Sequence, residues 1–321
     1  MYPQLVFGIV VLFGSAEVLI RGAVSLAKTY RVPPLVIGMT VIAVGTSAPE
    51  LVVSVNAALT GAPGLALGNV IGSNIANVLL ILGVSCMIAS VGNPDNVHTR
   101  DGIILAAGSA VFVLLCAFGE LGVGSGAILL VMFAGFLVSS YRLEAEDETL
   151  AAEHIEEVEE IQVLPWPVWT IALMVVAGLA GVIWGADLMV EAGVAIARAF
   201  DVPEEIIGLT LIAFGTSLPE LAASVVAAYR GHADLAVGNV VGSNLFNILG
   251  IAGVAAMVTP LPVSARIFSV DLWVMLGSTA LVLPILAGRW HPGRVAAVVF
   301  LVLYGAYIAF NVYDAGLMRL D

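Results

Sequence analysis

Apolar residues run through this chain in stretches of about 20, interrupted by short clusters of charge, Pro and Gly rather than by the polar faces of soluble helices. The pattern predicts spans at 4–26, 35–59, 65–90, 102–119 and 122–141 in the first half, and at 167–198, 206–229, 235–258, 270–287 and 294–313 in the second. It also repeats on a larger scale. The segment from Gly38 to Gly83 recurs without a gap from Gly208 to Gly253, each residue matching the one 170 positions later, and 27 of the 46 aligned positions are identical. The expected fold is an all-α polytopic membrane protein of about ten transmembrane helices in two five-helix repeats. Residues 1–142 and 167–321 form the repeats, 143–166 the linker between them, and each repeat carries a broken, Pro-containing core helix. Five is an odd number of crossings, so the second repeat enters the membrane from the opposite side and the two are inverted.

Composition removes the soluble alternative: 60% of the residues are hydrophobic, 11% are charged, and mean hydropathy is +1.07. No basic segment precedes the first apolar run, which therefore reads as a span rather than a secretory leader. The eleven basic residues orient the chain. With the N-terminus outside, inside loops hold Arg21, Lys28, Arg31, Arg100, Arg142, Arg230, Arg289 and Arg294, against Arg198, Arg266 and Arg319 outside. The positive-inside bias then puts both termini outside and the linker in the cytoplasm. Of the net charge of −13, nine acids lie between Glu144 and Glu160, a run expected to be a solvated linker. It lacks the ligand spacing of an EF-hand. No basic cluster with interleaved aromatics points to nucleic acid.

Chemistry enters where each repeat places a carboxylate inside an apolar run. Glu50 follows Pro49 in GTSAPE and Glu220 follows Pro219 in GTSLPE. An ionisable residue at membrane depth is costly enough that function is its default reading, and here it occurs twice in one context. The prolines lack an N–H, so the carbonyls of Gly45 and Gly215 lose their helical partners, and both glycines are expected to ease local unwinding. Glu50, Thr46 and Ala43 share a helical face with Ser47 beside them; Glu220, Thr216, Ala213 and Ser217 repeat the arrangement. The following helix adds Ser73 and Asn77, and their counterparts Ser243 and Asn247, at i, i+4. Its Gly68/Gly72 and Gly238/Gly242 pairs allow close helix approach. Asn69, Asn74, Asn239 and Asn244 are assigned packing or supporting roles. Carboxylate, hydroxyl, amide and carbonyl oxygens form a hard donor set suited to Ca²⁺ or Na⁺ rather than zinc or copper. One Ca²⁺, two monovalent ions or two protons would each neutralise the two glutamates, and that competition is itself a mechanism of exchange. Glu17 and Asp187, also 170 apart, are expected to be structural. Cys86 and Cys116 read as core packing, and the four histidines fall in loops, which leaves an intramembrane hydrolase without a nucleophile–base pair.

GTSAPE with GSNIAN, and GTSLPE with GSNLFN, resemble the two α-repeats of the sodium/calcium exchanger family within the calcium:cation antiporters. The resemblance extends to the flanking spans and their Val32-Pro33 and Val202-Pro203 starts. It implies a non-enzymatic antiporter, monomeric and without cofactor, that moves Ca²⁺ against Na⁺ by alternating access and exports Ca²⁺. The metal ligands it implies are Glu50, Glu220, Thr46, Thr216, Ser47, Ser217, Ser73, Ser243, Asn77 and Asn247, with the carbonyls of Ala43 and Ala213. It further implies that the first and sixth spans slide or rock outside the ligand-bearing core. Asn247 stands where some members carry Asp, which argues against potassium coupling, and Ala48 replaces a more usual Leu. The short linker suggests a prokaryotic inner-membrane protein. A proton-coupled exchanger would use the same glutamates, and a passive cation channel is the more distant alternative.

Overall fold

A computed structural model describes residues 2–30, 37–89, 99–146, 166–199 and 213–314. The Pro33 and Pro203 starts, most of the acidic linker, the opening of the second repeat motif, His98 and His154 lie outside the described residues. Within them the chain is almost wholly helical. The first repeat gives α1 (Tyr2–Tyr30), α2 (Gly38–Thr46), α3 (Ala48–Leu59), α4 (Pro63–Ile88), α5 (Thr99–Cys116) and α6 (Val123–Glu146). The second gives α7 (Val168–Ala199), α8 (Ala213–Thr216), α9 (Leu218–Tyr229), α10 (Ala233–Val258), α11 (Ile267–Leu286) and α12 (Arg294–Asp314). Seven of the described helices are long and apolar enough to cross a membrane, and the pair α2–α3, bent by 50°, makes an eighth. The helix α5 and the pair α8–α9 stand where the two other predicted spans were placed.

Burial separates inner helices from outer ones. Of the most apolar window in each, 89% is buried in α10 and 72% in α4, against 17–33% in α1, α6, α7 and α12. The lipid-facing helices are therefore apolar on their exposed sides too, as a bilayer rather than water demands. The main core gathers Val70, Ile75, Leu82, Val241, Leu245 and Ile251 of α4 and α10 with Phe112 and Phe300. A second apolar cluster joins Leu12, Leu19, Ile20 and Val182 of α1 and α7 to Leu218, Ala222 and Ala223 of α9.

Close backbone approach holds α1 on α7. A Cβ at Gly185 would lie 2.5 Å from the Leu12 nitrogen, and one at Gly178 2.7 Å from the Leu19 Cα. An unpredicted element, a two-residue antiparallel pair of β1 (Glu120–Leu121) and β2 (Leu261–Pro262), ties the loop after α5 to the loop after α10. Gly185→Ala should therefore lower stability by about 1–3 kcal/mol through overpacking. Gly14→Ala on α1, where a Cβ meets nothing within 4 Å, should not. Thermal unfolding of the two variants in detergent checks this.

Candidate ion-binding site between the repeats

Each glutamate sits where a helix stops and restarts. Pro49 cannot donate to the ladder, and α2 ends at Thr46; Ser47 adopts φ −83°, ψ 11°, and α3 begins at Ala48 with Pro in its first turn. Ser217 does the same with φ −89°, ψ 4°, ahead of α9. Glu50 and Glu220 thus occupy the first turn of a new helix, where the positive end of the backbone dipole favours a negative charge. The two flanking glycines, two residues before each break, also have a packing role. They lie in short helical turns, where a Cβ on Gly45 would meet Leu179 at 2.5 Å and one on Gly215 would collide with Val190. They let α7 close over both breaks.

The halves interlock by exchange. The Ser47 hydroxyl of the first repeat donates to Glu220 Oε1 at 2.6 Å and lies 3.1 Å from Ser243 Oγ. The Ser217 hydroxyl of the second donates to Glu50 Oε1 at 3.4 Å. The Thr46 hydroxyl reaches Asn239 Oδ1 and the Ala43 carbonyl, each at 3.4 Å. Glu50 and Glu220 are buried, and close enough for their charges to repel. Each keeps one oxygen, Oε2, buried without a hydrogen-bond partner. Asn77 Oδ1 and both amide atoms of Asn247 are likewise buried and unpartnered. Orphaned acceptors at this depth are costly unless something positive meets them. No three His, Cys, Asp or Glu residues come together among the described residues, and the unpartnered oxygens here belong to two carboxylates and to side-chain amides.

Asn77 opens a π-helical stretch, Asn77–Leu82, and Asn247 lies in its counterpart, Phe246–Ile251. Such wide turns recur at functional sites because they shift side chains out of helical register. The other asparagines are not equivalent to these. Asn69 Nδ2 donates to the Glu50 carbonyl at 3.3 Å and to Ser54 Oγ at 2.9 Å. Asn239 Nδ2 makes the same pair of bonds to Glu220 and Ser224, at 3.3 and 2.9 Å. These amides brace the glutamate-bearing helices on α4 and α10. Asn244 Oδ1 accepts from Asn77 Nδ2 at 3.0 Å, whereas Asn74 Nδ2 turns back to the Val70 carbonyl at 2.7 Å.

Ser73 and Thr216 line a cavity of about 320 Å³ that also touches Gly68, Gly72, Asp271 and Tyr307. The two Gly-x-x-x-Gly pairs therefore behave differently. Gly242 abuts the Met39 backbone of α2, as expected, while Gly68 and Gly72 face open space. Asp271 was not anticipated. It accepts a bond from the Tyr307 hydroxyl at 3.0 Å and lies 170 positions after the buried Asp101, so the repeat offset carried the signal. Of the predicted set, Ser47, Ser217, Ser243, Thr46, Thr216, Glu50 and Glu220 are joined in one polar cluster. Asn77 and Asn247 present unpartnered oxygens, Ser73 faces the cavity, and Ala43 and Ala213 lie in the turns before the breaks.

A family model described as sodium/calcium exchanger protein matches residues 2–142 and 170–313. The chain is 35% identical over 307 residues to CaxA of Alkalimonas amylolytica, which carries the name of an antiporter, covering 95% of each chain. It is 28% identical over 341 residues to the sodium/calcium exchanger MaX1 of Methanosarcina acetivorans, covering 96% of this chain and 97% of that one. Among solved structures it resembles the sodium-calcium exchanger NCX_Mj soaked with 2.5 mM Na⁺ and 1 mM Sr²⁺. The TM-score is 0.83 and the identity 31%, covering 96% of this chain and 97% of the other.

Asn239→Ala should remove both braces on the Glu220 helix and leave the Glu220 carbonyl and Ser224 short of a donor. The expected loss of stability is about 1–3 kcal/mol. Melting of the detergent-solubilised protein should show it, and unchanged melting would remove Asn239 from its bracing role.

Proposed function

The chain belongs to the sodium/calcium exchanger protein family, and from that premise we propose that it exchanges Na⁺ for Ca²⁺ at the paired-glutamate site by alternating access, in the direction that exports Ca²⁺. One observation carries this reading. Two buried carboxylates from inverted repeats each hold one oxygen on a serine of the opposite repeat and leave the other free. A hard cation placed between the free oxygens would be bound by both halves at once. Its presence or absence would then bear on how the halves sit together.

The proposed ligands are Glu50 and Glu220 as the charged pair, with Thr46, Thr216, Ser47, Ser217, Ser73, Ser243, Asn77, Asn247 and the Ala43 and Ala213 carbonyls as neutral oxygens. The site carries at most two negative charges. One Ca²⁺ would neutralise it, and so would two Na⁺. An empty, doubly charged site would be costly to carry across an apolar interior, so loaded forms would switch and empty ones would not. That restriction is what couples the two fluxes. In this reading the chain is a transporter rather than an enzyme, with Ca²⁺ and Na⁺ as its substrates. Residues 1–142 and 167–321 would form the two inverted repeats of a ten-helix protein in a prokaryotic inner membrane, with termini outside and the 143–166 linker in the cytoplasm.

Calcium flux in proteoliposomes tests the reading. Flux should require an imposed Na⁺ gradient and reverse with it, and should fall by about tenfold or more in Glu50→Gln and in Glu220→Gln. Flux driven by a pH gradient without Na⁺ would assign proton coupling instead, and gradient-independent leakage would mean a channel. Lowering the pH adds protons as competitors for the same carboxylates. Exchange at limiting Ca²⁺ should therefore decline with acidity and recover as Ca²⁺ is raised, whereas a decline that Ca²⁺ does not reverse would place the titrating group elsewhere.

A further inference from the structure

The helices α1 and α7 are locked to each other by glycine-mediated backbone approach at Gly178 and Gly185, and by a bond from Gln4 Nε2 to Glu191 Oε2 at 2.9 Å. Against α9 they offer a different surface. There Leu19, Ile20 and Ala23 share one apolar cluster with Ala222, Ala223 and Ala227, aliphatic side chains whose packing is non-directional. An interface of this kind keeps most of its energy when one side shifts along the other. A directional contact across it does not, and the described residues contain such a contact. Glu17 of α1 accepts from Arg230, in the turn after α9, through Nε at 2.8 Å and through Nη2 in a second, shorter bond. Arg21, one turn along α1, donates to the same carboxylate at 2.5 Å. Glu17 is 25% exposed and Arg230 43%, so the pair lies at the surface of the protein rather than in its core.

The inverted repeat supplies the control. At the symmetry-related rim Glu17 becomes Asp187, Arg21 becomes Glu191 and Arg230 becomes Thr60. Thr60 spends its hydroxyl on its own helix, on the Asn56 carbonyl at 2.8 Å. Asp187 makes no hydrogen bond or ion pair among the described residues. One rim therefore carries a carboxylate held by two guanidinium groups, and the other two acids and a hydroxyl. The asymmetry sits in a frame whose ligand-bearing segments align without a gap and share the GTS-x-PE and GSN-x-x-N residues.

We infer that the Glu17–Arg230 bridge is a conformational clasp that fastens the α1–α7 pair to the α9–α10 turn in one access state. It has no counterpart in the other state, and so it sets the balance between the two. The inference rests on the alternating-access reading above. In that reading α1 moves relative to α9, and the bridge must open once in every cycle.

A reversible cross-link tests it. Cys86 and Cys116 are both buried and unpaired, so a Glu17→Cys/Arg230→Cys variant presents its new thiols at the rim against a quiet background. Bridged by a short bis-thiosulfonate, this variant should lose sodium-driven calcium flux and regain it on reduction, while each single-cysteine variant treated alike keeps its flux. A bridged protein that exchanges at the unbridged rate would overturn the inference. Absence of exchange in the wild type as well would instead condemn the antiport reading itself. In parallel, Arg230→Gln should shift the apparent Ca²⁺ affinities at the two membrane faces in opposite directions, each on the order of two- to fivefold, and Arg230→Lys should shift them less. A merely structural bridge would lower the maximal rate in both directions and leave the two affinities in their original ratio, and that outcome would also sink the clasp.

Discussion

Two carboxylates buried in an apolar interior are the constraint from which the rest of the structure follows. Among the described residues neither Glu50 nor Glu220 has a basic residue beside it to absorb its charge; their partners are serines, threonines and the ends of helices. Ionised and unmet, two such groups would repel each other in a medium that screens poorly. The local architecture reduces that cost without abolishing it. Breaking each helix at Ser47 and Ser217 puts a helix start beneath each carboxylate, and exchanging serines between the repeats gives each a donor. One oxygen on each is left over. The site is built to remain short of positive charge, and in the proposed function the transported ion supplies it.

Positioning that pair takes much of the polar chemistry that recurs in both repeats. Asn69 and Asn239 grip the backbone of the residue that bears each carboxylate, so the brace acts on the helix and leaves the carboxylate oxygens free. The π-helical stretches of α4 and α10 hold Asn77 and Asn247, both buried, at a local change of helical register. Gly45 and Gly215, beside the breaks, allow Leu179 and Val190 of α7 to seal the site.

Much of this was legible in the sequence because the repeat makes equivalence visible. A 170-residue offset pairs Glu50 with Glu220 and Ser73 with Ser243, and the proline after each GTS fixes where a helix must break. What the offset cannot show is which half meets which. That Ser47 serves Glu220 rather than Glu50 depends on how α2 and α9 cross, and no local periodicity records it. The packing role of the glycines was hidden for the same reason: it depends on side chains of α7, Leu179 and Val190, which no local pattern brings to them. Asp101 and Asp271 were visible at the same offset, but they stand outside the best-matched segment, and only the cavity beside Tyr307 draws attention to the second.

Equivalence in sequence does not produce identity in structure, and the difference is informative. Asn77 holds Asn244, yet the mirror-related Asn247 holds nothing, because Asn74 has turned to the Val70 carbonyl. Likewise Gly242 is packed on Met39 while Gly72 borders a cavity. The same residues thus support two local arrangements within one molecule, one tighter and one looser. A protein that alternates the access of a central site needs its two halves to differ at every moment and to be able to trade places. Equivalent polar residues in the two repeats keep the traded arrangement close in energy to the original. What then decides the balance is whatever breaks the symmetry, and one such difference lies away from the ligands, on α1 and α7, where Glu17 has two arginine partners and Asp187 has none among the described residues.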